Sequence, residues 1–354
     1  MASKKQIVTR GVAVGAGAPI PIQSMCSIPF TRFEELAAQA LALQDAGCDI
    51  LRVALPDMES AEPFQKLRNM LKIPLVADIH FDYRLALKAL EAGADKIRIN
   101  PGNTDKTHLR LVTDAAKARN VPIRVGINAG SLEKDLLAKY GRPTARALAE
   151  SAQRNVELLE QLDFDDIAVS MKASDVRMMV EAYRIFAETS PYPLHLGVTE
   201  AGTVRSGTVK SAIGIGALLL DGIGDTIRVS LTADPAEEVE TAKILLRSLD
   251  LYHRGIEVIS CPTCGRTTVN SIELANRVEQ EFRDIRAHVK IAVMGCVVNG
   301  PGEARQADVG VTGANGEYVL FRGDKMIKNI PQEQILPLLR KEVEEIAKIK
   351  GADL

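Results

Sequence analysis

Three of the five cysteines in this chain stand where they could hold a metal. Cys261 and Cys264 share the stretch SCPTCGR, and Cys296 follows in MGCVVNGPGEAR. A CxxC pair in a chain with no secretory signal is more often a metal or redox site than a structural staple. Structural zinc calls for four protein ligands, and neither a second CxxC nor a paired histidine supplies the fourth. A thioredoxin-type disulfide expects a different βαβ context and leaves Cys296 without a role. Three thiolates with one weak or open position suit a catalytic [4Fe–4S] cluster. Spacing alone leaves the three readings open. Cys48 in AGCDILRV reads as a small buried residue, and Cys26, after QSM, as a packing residue at a strand end.

A second set of reactive residues lies on short apolar runs. In KIRIN (96–100), Ile97 and Ile99 share one face, while Lys96, Arg98 and Asn100 share the other. The same alternation sets Arg124, Gly126 and Asn128 apart from Ile123, Val125 and Ile127, and pairs Asp78 with His80. It also separates Arg52 from Leu51 and Val53, Ser170 and Lys172 from Val169 and Met171, and Arg228 and Ser230 from Ile227 and Val229. Arg52, Arg98, Arg124, Lys172 and Arg228, set against Asp78 and Glu200, leave an excess of about three positive charges. Guanidinium forks match phosphate oxygens bidentately, so this excess suits a diphosphate better than a carboxylate. The competing reading makes some of these arginines internal ion pairs.

The elements that must position these residues follow from the pattern between residues 20 and 250. Eight apolar runs, IPIQSM, ILRVAL, PLVADIH, KIRIN, PIRVGIN, DIAVSMK, PLHLGV and DTIRVS, alternate with amphipathic helical stretches such as FEELAAQALALQDAG. That rhythm predicts a (β/α)₈ TIM barrel over residues 1–255, with the apolar parity under the outer helices and the polar parity inside. Most of the basic residues then fall near the C-terminal strand ends, where barrel active sites sit. The glycines of AIGIGALLLDGIGD (212–225) read as close helix packing, since the third glycine of a dinucleotide fingerprint is missing. RVSLTADPAEEVETAKILLRSL reads as a strand, a turn with Pro235 and a surface helix.

After about residue 255 the rhythm changes, and residues 256–354 predict a small α+β domain. IEVISCPTC and VKIAVMGC read as strands that end in their cysteines, and VNSIELANRVEQEFRDI as a helix. The glycine-rich VNGPGEARQADVG reads as a loop close to a bulky ligand. QILPLLRKEVEEIAKIK (334–350) reads as a solvated amphipathic helix. With 44 basic and 46 acidic residues, the formal charge of −2 argues against broad nucleic-acid or anionic-membrane binding. MASKKQIVTR lacks a signal-peptide core and no 18-residue apolar run follows, so the expected compartment is the cytoplasm.

VADIHFDYR, RINPGN, NAGSLEKD, KASD, TEAGTVRSG, GIGDTIRVSL, CPTCGR and GCVVNGPGEA, in that order, resemble the bacterial 4-hydroxy-3-methylbut-2-enyl diphosphate synthase family of the non-mevalonate isoprenoid pathway. The resemblance implies a TIM barrel followed by a [4Fe–4S] domain, held by Cys261, Cys264 and Cys296 with Glu303 as the fourth ligand. It implies that Arg52, Arg98, Arg124, Lys172, Arg228 and Ser230 clamp the diphosphate. Asp78, His80, Asn128, Glu200 and Asn299 would contact the rest of the substrate, with Glu200 as proton donor or electrostatic partner. The expected reaction is reductive opening of 2-C-methyl-D-erythritol 2,4-cyclodiphosphate with loss of water. No flavin or nicotinamide fingerprint is present, so ferredoxin or flavodoxin supplies the electrons. The expected assembly is a head-to-tail homodimer, each cluster covering its partner's barrel. Two rivals are a pterin-dependent methyltransferase barrel, which leaves the cysteines unexplained, and a non-catalytic cluster or zinc redox sensor, which leaves the five basic residues idle.

Overall fold

A computed structural model describes residues 3–80, 82–298, 302–303, 306–323 and 325–351. The chain divides into two compact units, Met1–Leu251 and Tyr252–Leu354.

The first unit opens with a hairpin of β1 (Gln6–Thr9) and β2 (Val12–Gly15), an element the sequence reading did not anticipate. Ile7 and Val14 of the hairpin pack with Ile50, Val76 and Ala168, so the hairpin supplies an apolar floor at the N-terminal strand ends. Six parallel strands follow in sheet order, β3 (Gln23–Met25), β4 (Ile50–Ala54), β5 (Leu75–Asp78), β6 (Lys96–Ile99), β7 (Ile123–Asn128) and β8 (Ile167–Lys172). β9 (His195–Leu196) and β10 (Thr226–Ile227) pair in parallel, and bridges Val169–Leu194 and Ile22–Ile227 join them to both sides of the sheet. The expected eight-stranded barrel is therefore closed. Its first, seventh and eighth strands are shorter than the apolar runs that announced them.

Three barrel units share a locking device. At the C-terminus of α1 (Phe33–Asp45) and of α3 (Tyr83–Glu91), Gly47 and Gly93 take φ of 85°, which ends each helix at little steric cost. The aspartate two residues on then accepts a backbone N–H at the head of the preceding strand run: Asp49 from Ile22 at 2.8 Å and Asp95 from Leu75 at 2.9 Å. Asp225, after α8 (Val204–Leu220), does the same for Leu194 at 2.7 Å. Each bond satisfies a buried donor and sets where a strand starts, hence which side chains face inward. Gly214 in α8 packs so closely that a Cβ there would meet Met179 Cε and Val198 Cγ2 at 2.7 Å, the close packing read from the sequence.

The second unit carries a five-stranded sheet in the order β11 (Ile256–Ser260), β12 (Val289–Met294), β13 (Val309–Ala314), β14 (Glu317–Arg322), β15 (Lys325–Ile330). The first three strands are parallel and the last two antiparallel. Phe282, Val289, Ile291, Val311 and Leu320 form its core with Leu274 and Val278 of α10 (Ser271–Glu281) and Leu339 and Val343 of α11 (Gln332–Ile349). No helix among the described residues is long and apolar enough to cross a membrane.

Candidate active site

The inward parity read from the strands places the barrel's basic residues inside. Arg52, Arg98, Arg124 and Lys172 are buried to 9% exposure or less, although each carries a charge that water would solvate far better. Two glycines make room for them. A Cβ at Gly126 would lie 2.1 Å from Arg98 Nε, and one at Gly197 would lie 2.9 Å from Lys172 Nζ. Arg98 crosses Gly126 to donate to its carbonyl at 3.0 Å, and its Nη1 lies 3.4 Å from Asp78 Oδ1 and 2.9 Å from His80 Nε2. Asn128 joins this group: with its amide turned so that oxygen faces donor and nitrogen faces acceptor, the oxygen accepts from Arg98 Nη2 at 3.0 Å. Burial works to raise the Asp78 carboxyl, but Arg52, the His80 bond and Arg98 prevail and hold it well below the carboxylate range.

The remaining cations are under-paired. Arg124 donates through Nη1 to Ser170 at 3.1 Å, while its Nε and Nη2 have no partner among the described residues. Lys172 Nζ, Arg228 Nε and Ser230 Oγ are equally unpartnered. Burial pushes Arg52 down to about 10 and Lys172 well below its ordinary value. Buried donors left unpaired are costly, and cations more so, so this cluster is built for an anion.

Several expectations need correction. Arg124 is the second of six residues in β7, deeper than the strand ends. Arg228 reaches Glu238 at 3.1 Å, an internal ion pair with a carboxylate that is only 4% exposed. Glu238 lies on α9 (Pro235–Ser248), so the helix read as a surface element turns one acidic side chain inward. Arg52 lays its Nε and Nη2 on Met25 Sδ at 3.1 and 2.9 Å, and Lys96 is a sixth basic residue inside. Strand parity had already set Lys96 on the polar face of KIRIN; Met25 and the helical Glu238 had no comparable signal. Glu200 is exposed, on a loop with φ of 52° beyond β9, and makes no hydrogen bond or ion pair with the buried group among the described residues.

In the second unit, β11 and β12 are parallel neighbours, Ser260 level with Val293, so both cysteine loops leave the same sheet edge. The Gly295 N–H donates to Cys261 Sγ at 3.2 Å and joins the CxxC loop to the Cys296 loop. Cys261 and Cys296 are half-buried and Cys264 is exposed. A backbone hydrogen bond from Arg266, then the Arg266 charge, holds the Cys264 thiol below its ordinary value, whereas burial pushes Cys26 and Cys48 up to about 12. Two cysteine loops leaving the same end of the sheet, an amide N–H on Cys261 Sγ and a lowered Cys264 thiol fit thiolate ligation of a cluster. No group of three His, Cys, Asp or Glu side chains stands at metal-holding distance among the described residues. Glu303 is half-buried on a helical turn, its carbonyl accepting from Ala307 at 3.2 Å, and Asn299 lies outside the described residues.

The fold and these two residue sets define an anion-binding TIM-barrel protein with a cysteine-bearing α+β domain. The GcpE TIM-barrel domain matches residues 4–243 and the GcpE protein C-terminal domain matches residues 257–345; the chain belongs to the GcpE family. It is 52% identical over 337 residues to the 4-hydroxy-3-methylbut-2-en-1-yl diphosphate synthase (flavodoxin) of Geobacillus kaustophilus, covering 95% of this chain and 90% of that one. The Geobacter sulfurreducens protein of the same name is 51% identical over 346 residues, 98% of both chains. Among solved structures, a dihydropteroate synthase from Stenotrophomonas maltophilia is similar at TM-score 0.50 and 17% identity, covering 69% of this chain and 98% of that one. A type I 3-dehydroquinate dehydratase from Clostridium difficile is similar at TM-score 0.50 and 14% identity, over 70% and 98%. These two likenesses concern the fold alone.

Proposed function

We infer that this chain converts 2-C-methyl-D-erythritol 2,4-cyclodiphosphate to 4-hydroxy-3-methylbut-2-enyl diphosphate. Two electrons enter, the ring C–O bond to phosphate opens, and a hydroxyl oxygen departs with protons as water. The observation that carries this reading is the set of buried, unpaired donors on Arg124, Lys172, Arg228 and Ser230, which match diphosphate oxygens. Family membership and the names of relatives half identical in sequence point the same way.

Arg124, Lys172, Arg228 and Ser230 hold the diphosphate, with Arg52 and Arg98 adding charge. These fixed donors favour the negative charge that grows on phosphate as the C–O bond breaks. Arg98, packed over Gly126, orients His80, Asp78 and Asn128 toward the carbon skeleton. Glu200 serves as proton donor or electrostatic partner, and Asn299 is assigned to the substrate by the family resemblance. Cys261, Cys264 and Cys296, with Glu303, would hold a [4Fe–4S] cluster, which supplies electron transfer and a Lewis-acidic iron. Flavodoxin is the electron donor, in keeping with the relatives' names. Two copies assemble head to tail in a closed, two-fold pair, each covering the other's barrel.

Anaerobic purification followed by iron and sulfide analysis tests the cofactor. The expected product is brown, with about four irons and four sulfides per chain; a colourless zinc protein overturns the assignment. Glu303→Ala should retain iron through its three thiolates yet turn over at least ~10-fold more slowly. Unchanged turnover in that variant removes Glu303 from the ligand set.

A further inference from the structure

Below the donors assigned to the diphosphate lies a second polar tier that none of those roles uses. Gln23 opens β3, Lys96 opens β6 and His195 opens β9, and all three are exposed by 1% or less. Both side-chain polar atoms of Gln23, the Lys96 Nζ and both His195 ring nitrogens have no partner among the described residues. Lys96 is level with Val76, which packs into the hairpin floor, so it sits at the closed end of the barrel, below Arg98 on its own strand. The charges that face Lys96 are Arg124 of β7, Arg52 of β4 and Asp166, just ahead of β8. Those that face His195 are Arg124, Lys172, Lys96 and Arg52.

An ammonium with no partner, enclosed among guanidinium groups, is costly to maintain. Guanidinium groups do not give up their protons, so the lysines and the imidazole absorb the strain. Burial lowers Lys96 to about 7; Arg124 and Arg52 act in the same direction and Asp166 against them. Burial and the same cations keep His195 neutral. An anion entering above reverses this balance for the lysines.

We propose that Lys96 is a positioning residue that takes a proton from solvent as the diphosphate enters, adding a charge beneath the site only when the ligand is bound. The proton adds to Nζ, with no covalent or redox step. The inference rests on the substrate reading above. Lys172, which faces the ligand directly, takes up a separate proton of its own.

The test is calorimetric titration of the oxidised, anaerobically purified protein with the cyclodiphosphate, without reductant, in buffers of different ionisation enthalpy. As a cyclic diester anhydride, this ligand has no titration of its own near neutrality. At pH 8 binding should take up protons, and the share of that uptake lost in the Lys96 variants should fall toward zero below about pH 6, where Lys96 is already charged. Lys96→Arg carries a fixed charge: it should still bind, with about one proton less uptake and a Kd less sensitive to pH. Lys96→Met should lose the same proton and bind roughly tenfold more weakly at pH 6.5, with a smaller loss at higher pH. Lys172→Arg should keep the Lys96 proton. Binding with unchanged uptake in both Lys96 variants, or no uptake in the parent protein, overturns the role of Lys96 alone. Absence of binding by the parent protein overturns the substrate reading, and this inference with it.

Discussion

At the scale of single residues, reactivity among the cysteines separates by environment. Cys264 is exposed and lowered by the Arg266 N–H, while Cys26 and Cys48 are buried and raised to about 12. Thiolate, not thiol, attacks an alkylating agent. In iron-free protein at pH 7.5, iodoacetamide should therefore label Cys264 at least ~100-fold faster than Cys26 or Cys48, as read by peptide mass spectrometry. Equal labelling of Cys48 would contradict its burial. The sequence already separated Cys48 from the three ligand candidates, because a small residue ahead of a strand has a packing role available. It could not rank Cys264 above Cys261, since that depends on which amides and charges the folded loop turns toward each sulfur.

At the scale of elements, strand parity does most of the positioning and glycine completes it. Arg98 lies flat over Gly126 because no Cβ stands there. Gly126→Ala should displace the guanidinium from the Gly126 carbonyl and from Asp78, lowering kcat/KM by at least ~10-fold and stability by about 1–3 kcal/mol. Circular dichroism and thermal melts check that the fold persists; full activity would show that Arg98 need not occupy that position. The parity of KIRIN and PIRVGIN was legible because inward and outward faces differ in polarity along a single strand. The N-terminal hairpin was not, since β1 and β2 are only four residues each and gain their burial from Ile50, Val76 and Ala168 on distant strands. Glu238 escaped for a similar reason: a helix with acidic residues in its first turn reads as solvated until an inward-facing arginine is found beneath it.

At the scale of the whole molecule, the proposed pair of chains makes a specific demand. If each barrel is completed by its partner's cysteine domain, Cys296→Ala and Arg124→Ala are each inactive alone yet complement one another. Random reassortment puts half the chains in mixed dimers with one complete site each, so the mixture should recover about a quarter of parental activity. Recovery of none, with mixed dimers confirmed by mass spectrometry, would place each site within a single chain.

The sequence by itself determined the barrel, the inward set of basic residues and the three cysteines at strand ends, because period-two polarity and fixed spacing are local properties of the chain. Only the tertiary structure decided which donors remain unpaired. Arg228 meets a carboxylate from a helix, whereas Lys96 and Lys172 meet none among the described residues. Pairing is a contact between residues far apart in sequence, and it follows from how the strands and helices close around one another.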